Sequence, residues 1–371
     1  MKKLYHTEDW KRHSRKKSLK ALRKKQKEKK LRKKRKNKKE QSTISHTHIP
    51  KITRKRDRTE ITSPSNFSLI NNIEETIGFF NMLDHCITEG KDIFINLEDV
   101  KELTSDAIMY TLSRIDYNRS RNPQSKVGIY GNKPKDEKCN RVFETSGFYN
   151  FVYSSHREKI QTDPNVYSIR SDARVFSPYA KEICDFTKKC FVNYGLINTK
   201  AIYPIIIECM ANTNNHAYKT NSYYRKWWLM ASFLQSDNKV HFTFIDNGFS
   251  IPSTIRMKWR EHVQKLKEKI FTSIMPDSQI KNRLQDSFLI ESALKGEFRT
   301  RTKVEHRGKG LPKIYETAQN QKIDNLKIIS KRGSISVNNS SIVAKEIEGI
   351  FYGTLLSWDV FYGNSFKKEA I

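Results

Sequence analysis

The chain has 371 residues, a net charge of +30 at neutral pH and 36% apolar residues, which leaves room for two domains and a tail. Residues 1–60 hold 26 of the 70 Lys and Arg but 6 of the 40 Asp and Glu, so a mildly basic globular body carries a polycation at one end. The five cysteines are odd in number and form no CxxC pair, which argues against a disulfide framework or a cysteine zinc site and fits a reducing compartment. No apolar run approaches the ~18 residues of a membrane span, and the N-terminus has charge without an apolar stretch, unlike a secretory signal. A cytoplasmic protein with no membrane association is expected.

The stretch SLKALRKKQKEKKLRKKRKNKKE, within a basic tail assigned to residues 1–60, is built from good helix formers with almost no apolar face. Self-repulsion predicts a disordered or transiently helical arm when it is alone. Charge this dense binds nucleic acid or another polyanion by counterion release. Sparse aromatics, Tyr5 and Trp10, give base stacking little support, and a solubilising or ribosome-associated tail would have the same composition. Residues 41–66, rich in Ser, Thr, His and Pro, read as a linker.

A first α/β region is assigned to residues 61–160. DIFINLEDV alternates Ile93, Ile95 and Leu97 as a strand does, and TSDAIMYTLSRIDYNRSR places Ile108, Leu112 and Ile115 at helical spacing. KVGIYG predicts a short strand and DEKCNRVFETSGFYNFV a second helix ending near Gly147. This order resembles the STAS domain of anti-anti-sigma factors over about 60 residues, through FINLEDVKELTSDAI and GNKPKDEKCNRVFETSGFYNFV. The resemblance puts Ser105 nearest the family's phosphorylatable serine and implies a surface for a protein partner. A plain helix cap by Thr104 or Ser105 explains the same residues.

A larger region is assigned to residues 165–365. SPYAKEICDFTKKCFVNYG and TKAIYPIIIECMANTNNHAY predict helices, KVHFTFIDNG a strand ending in a turn, and LPKIYETAQN a helix start. NLKIISKRGSISVNN, SSIVAKEIEG and GTLLSWDVFY predict antiparallel strands. Helices grouped ahead of strands indicate the α+β class.

Three stretches there carry chemistry. In IIIECMANTNNHA, Glu208, Asn212 and His216 recur every fourth residue on one helix face, with Asn215 beside them. Asn212 offers an oxygen to a hydrated magnesium, and Glu208 a general base; a solvated helix face would look the same. In FIDNGFSIP, Asp246 ends an alternating strand and can accept a hydrogen bond from an exocyclic amine, with Gly248 letting backbone approach a flat ring. An ordinary Asn-Gly turn is the plainer reading. In HRGKGLPKIYETA, Gly308 and Gly310 precede a helix, where backbone N–H groups bind phosphate, with Arg307 and Lys309 adding charge.

Together and in this order, ECMANTNNH, DNGFSIP and RGKGLP resemble the N box and two glycine boxes of the GHKL ATPase family, which includes gyrase B subunits, MutL, histidine kinases and anti-sigma-factor kinases. GTLLSWDV resembles its terminal strand, and residues 253–307 its lid. The resemblance implies a sandwich of a mixed, mostly antiparallel sheet with helices on one face, binding ATP and Mg2+. It implies Glu208 as general base, Asn212 as magnesium ligand, Asp246 and Gly248 at adenine, Arg307, Gly308, Lys309 and Gly310 around the phosphates, and Thr354 near adenine. Asn215 and His216 fall in the same box, His216 at a position often seen in the anti-sigma kinase branch. Ser250 stands where a second glycine is usual, implying a stiffer lid.

The expected function is an ATP-binding protein acting as a magnesium-dependent ATPase and conformational switch in a bacterial regulatory or defence complex. Two alternatives stand beside it: a serine/threonine kinase of the anti-sigma type acting on a STAS protein, and a non-catalytic nucleotide-sensing scaffold for nucleic acid. A homodimer is a further expectation from the family.

Overall fold

The computed structural model describes residues 52–55, 58–121, 127–152, 163–192, 199–218, 222, 224–257, 285–297, 310–338 and 341–362. The chain divides into Met1–His48 and Ile49–Ile371, and every described element belongs to the second unit.

Strands β1 (Ile52–Lys55) and β2 (Arg58–Thr62) open the unit as an antiparallel pair. Strand structure therefore begins inside the stretch that composition assigns to the tail and linker. Ile61 of β2 is fully buried and Thr59 nearly so, a two-residue alternation too brief to stand out among the basic residues around it. Then follow β3 (Asn66–Phe67), α1 (Ile73–Thr88), β4 (Ile93–Asn96), β5 (Glu102–Leu103), α2 (Ser105–Arg121) and β6 (Ile129–Gly131). The four-stranded sheet runs β1-β2-β4-β6, with β2, β4 and β6 parallel. Parallel neighbours need crossovers, which α1 and α2 supply. Helix α3 (Glu137–Thr145) starts where the Asp136 carboxylate accepts the Cys139 N–H at 2.9 Å, and α4 (Phe148–Val152) ends this half.

The second half comprises β7 (Val166–Asp172), α5 (Ser177–Cys190), α6 (Ile202–Asn212), β8 (Trp227–Leu234) and β9 (Lys239–Asp246). It continues with a helical turn, α7, at 251–257, then α8 (Asp286–Leu294), α9 (Gly310–Gln319), β10 (Asp324–Asn338) and β11 (Ser341–Phe361). The five strands form an antiparallel sheet in the order β10-β11-β9-β8-β7. The fold is α+β. Strand β8, WWLMASFL, is apolar without alternation because both faces of the sheet are covered. SSIVAKEIEG and GTLLSWDVFY, expected as two strands, are one strand, β11, whose pairing with β10 slips around Lys331.

The side chains of β9 alternate between two cores. Val240, Phe242 and Phe244 pack with α5, α6 and α9. Ile245, with Trp228, Met230, Ile329, Phe351 and Leu355 of neighbouring strands, packs against α1 and α2. Helices therefore cover both faces of the five-stranded sheet, where the sequence led us to expect one. The second face is closed by the crossovers of the four-stranded sheet, giving a sheet–helix–sheet–helix stack with α1 and α2 in the middle.

Candidate functional site

Helix α6 is set by its buried stripe of Ile202, Ile205, Ile206, Cys209 and Met210, and Pro204 is tolerated because it lies in the first turn. Glu208 and Asn212, one turn apart, point past this stripe toward the head of α9. The α-helix ends at Asn212, and Thr213–Ala217 continue as a wider π-type turn. That widening changes the register. Thr213 turns inward with its hydroxyl 3.1 Å from the Cys209 carbonyl, and Asn215 turns out to solvent. The uninterrupted 3.6-residue period expected through residue 216 thus fails one residue after Asn212.

Asp246 ends β9, opposite Thr354 of β11 on one side and Trp227 of β8 on the other. Its side chain is buried, and the Gly248 N–H donates to it at 2.8 Å. Burial pushes this carboxyl up to about 7, against the Gly248 N–H and the Thr213 hydroxyl, which favour the charged form. No salt bridge reaches Asp246 among the described residues. A buried carboxylate without a cation is costly unless a ligand supplies donors.

The neighbouring backbone is tightly set. Gly353 has φ +102°, and a side chain there would run into the Asp246 carbonyl. Gly248 lies against the carbonyl of Ala217, which accepts the Phe249 N–H. The Ser330 hydroxyl donates to the Gly353 carbonyl at 2.9 Å, lies 3.2 Å from the Thr354 hydroxyl and accepts the Ile251 N–H at 3.0 Å. Ser250 caps α7: its Oγ accepts the Ser253 N–H at 3.2 Å. Ser250 therefore has a structural use as a helix cap.

These parts enclose a cavity of about 160 Å³. Asp246, Asn212, Thr354 and Gly310 contribute to its wall, together with apolar groups including Phe249 and Leu356. At the Gly310 side a Cβ would sit 2.8 Å from Glu208 Oε2 and about 3 Å from the Asn212 amide. Glycine is what lets the head of α9 approach both side chains. The volume lies below the ~300 Å³ of a pocket for a drug-sized ligand, so the enclosed part fits one flat ring system. The residues present suit such a ring: apolar walls, a buried acceptor at one point, and amide and carboxylate oxygens at another. Among the described residues no group of three or more His, Cys, Asp or Glu is placed to hold a metal. Asn212 provides an oxygen donor suited to a magnesium that keeps several waters, and Glu208 is a carboxylate one turn away.

Of the residues singled out from sequence, Asn212, Asp246, Gly310 and Thr354 line the cavity; Glu208 faces Gly310 and the Gly248 N–H holds Asp246, but both lie outside the wall. Asn215 is exposed and outside the cavity wall. Arg307, Gly308 and Lys309, and the side chain of His216, lie outside the described residues, as does the expected lid apart from 253–257 and 285–297. Sequence reading missed Thr213, Ser330 and the apolar wall from Phe249, Ile255, Ala293 and Leu311. None of these carries a local signature, because each is an ordinary core or turn residue until the fold assembles it. No described helix is long and apolar enough to cross a membrane. No protein-family model matches the chain, and no curated protein matches it in sequence.

Proposed function

We propose that the chain is an adenine-nucleotide-binding protein of the GHKL type, a magnesium-dependent ATPase acting as a conformational switch in a bacterial regulatory or defence complex. One observation carries the reading. Three stretches more than 30 residues apart, at Asn212 with Glu208 one turn before it, at Asp246, and at Gly310, converge on one cavity whose wall holds a buried acid with no cation paired to it among the described residues.

In this reading Asp246 accepts the exocyclic amine of adenine, and Thr354 and Gly248 border the same ring. Asn212 holds magnesium, which neutralises phosphate charge when bound. Glu208 takes a proton from water as its oxygen bonds to the γ-phosphorus, while the bond from that phosphorus to the β–γ bridging oxygen breaks and ADP leaves. Magnesium-dependent titration of ATP into the full chain tests the binding. Asp246→Asn is expected to weaken it by on the order of 1.5–3 kcal/mol, the worth of a hydrogen bond to a charged group. An unchanged affinity in that variant removes adenine from the site. Glu208→Ala should keep binding and lose turnover; turnover that survives would remove Glu208 from the role of base.

The kinase alternative finds no support in the chain's own STAS-like segment. Ser105 is buried, its hydroxyl 2.9 Å from Thr243 Oγ1 on the sheet face opposite the cavity. A separate STAS protein would have to be the substrate. The polycation at residues 1–60 gives the switch a handle on nucleic acid or another polyanion; polyanion affinity that is insensitive to salt, or unchanged on deleting residues 1–48, which spares strands β1 and β2, would contradict that part.

A further inference from the structure

Two residues on the cavity-remote side of the sheet reach two backbone segments that frame the site, the turn after Asp246 and a bulge in β11. Arg114 and Tyr110 lie one turn apart on the same face of α2. Arg114 is buried, and its guanidinium binds Asp84 of α1 through Nε, 3.1 Å from both carboxylate oxygens, and through Nη2 at 2.7 Å. Its remaining arm, Nη1, donates to the Asn247 side-chain carbonyl at 3.0 Å. Asn247 is the residue after Asp246, and its own N–H is held by the Tyr218 hydroxyl at 3.0 Å. The Arg114 guanidinium also lies 5.0 Å from the centre of the Tyr352 ring. The Tyr110 hydroxyl accepts the Tyr352 N–H at 2.9 Å and donates to the Tyr352 carbonyl at 3.2 Å. Tyr352 precedes Gly353, the left-handed residue pressed against the Asp246 carbonyl.

We propose that Arg114 and Tyr110 are positioning residues for the ring-binding end of the cavity, so that the N-terminal α/β half sets its ligand affinity through α2. The inference rests on the adenine reading of the site. Neither side chain is part of the cavity wall. Arg114 fixes the turn that follows Asp246, and Tyr110 fixes the bulge of β11 at Tyr352–Gly353 that presses on the Asp246 carbonyl from the neighbouring strand. Asp84 holds the guanidinium plane through a two-pronged pair, and Asn118 Nδ2 donates to the same carboxylate at 2.8 Å. The fork can therefore present its free arm to Asn247 in one orientation only. By reciprocity, a ligand that needs the turn and the bulge in this form tightens the hold of α2 on the sheet.

The test uses the full chain and two conservative variants. Arg114→Lys keeps the cation beside Asp84 but loses the planar fork; Tyr110→Phe keeps the ring and removes both bonds to Tyr352. Affinities for adenosine, ADP and magnesium ATP are measured, together with amide hydrogen exchange in the ligand-free chain. Arg114→Lys is expected to weaken all three ligands by one common factor of about tenfold and to speed exchange at 247–250. Tyr110→Phe is expected to speed exchange at 352–354 and to weaken the three ligands by about three- to tenfold. Wild-type exchange at both segments, or a loss confined to ATP, would overturn the proposal, the second because it places the effect at the phosphates. If the wild-type chain takes up none of the three ligands, the adenine reading falls, and the exchange rates alone decide whether α2 holds the turn and the bulge.

Discussion

Asp246 is a charge held where charge is disfavoured, and its pH behaviour follows from that. Its folded-state value of about 7 stands above the ordinary 3.8. The native chain therefore holds a proton that the unfolded chain has released over that interval, and native stability falls as pH rises through it. The contribution is fully present below about 3.8 and lost above about 7. Asp246→Asn is accordingly expected to raise the melting temperature of the ligand-free protein at pH 8 by a few degrees, on the order of 1–3 kcal/mol. The gain should be smaller at pH 5, where only the lower part of that interval has been crossed, and absent below about 3.8, where the carboxyl is neutral in both states; equal gains at pH 5 and pH 8 would assign the effect to packing. Under the proposed adenine reading, binding has the opposite demand, since the amine donor needs the ionised acceptor. Adenosine, which has no titrating phosphate, should lose affinity approaching ~tenfold for each pH unit below 7. A flat profile between pH 6 and 8 would mean that Asp246 does not read the ring. One residue would thus trade stability for recognition at working pH.

At the scale of elements, the site depends on how α6 ends and how α9 begins. Gly310→Ala separates folding from function, because the added methyl would meet the ends of two flexible side chains, Glu208 and Asn212, rather than backbone. Alanine is also the better helix residue by about 1 kcal/mol. The variant is expected to melt at or slightly above the wild-type temperature, yet to lose tenfold or more in ATP turnover as the two oxygens are pushed aside, roughly 1.4 kcal/mol in the barrier. A large fall in melting temperature would show that the head of α9 is held by something else.

The same elements show what local pattern carries and what it omits. The four-residue spacing of Glu208 and Asn212 is enough to put both on one helix face, and the alternation of β9 enough to place Asp246 at a strand end. Asn215 fails because a π-type turn begins at Thr213, and no spacing rule announces such a turn. Strand β8 and helix α1 escaped notice for a related reason: eight apolar residues in WWLMASFL show no period to read, and α1 presents a mixed surface because it is wedged between two sheets. Arg114 and Asn247 are 133 positions apart, so their contact exists only in the assembled fold.

For the molecule as a whole, the placement of α1 and α2 between two sheets makes the halves mutually dependent. The aromatic chain Phe67, Phe80, Tyr110 and Phe351 crosses from one half to the other, with Tyr110 stacked on Phe351 at 4.3 Å. Phe351→Ala should cost about 3–5 kcal/mol, as for a fully buried ring. Ser105 lies in the same contact. Ser105→Ala removes one hydrogen bond to Thr243, worth ~1 kcal/mol, whereas Ser105→Glu forces a carboxylate into a buried seam and should cost on the order of 3 kcal/mol or more. If phosphorylation at Ser105 regulated a docked chain, Ser105→Glu would be tolerated, and thermal melts of the two variants decide between these outcomes. The strongest consequence concerns division of the chain. A fragment of residues 163–371 retains the whole cavity but uncovers Trp228, Met230, Ile245, Ile329, Phe351 and Leu355 on one sheet face. Exposed apolar surface of that extent drives association, so the fragment is expected to aggregate or to need residues 49–152 supplied as a second chain. A monodisperse fragment that binds nucleotide with full-length affinity would show that the N-terminal half is an appendage; recovery of solubility and affinity on co-expression would show that it is half of the folded core.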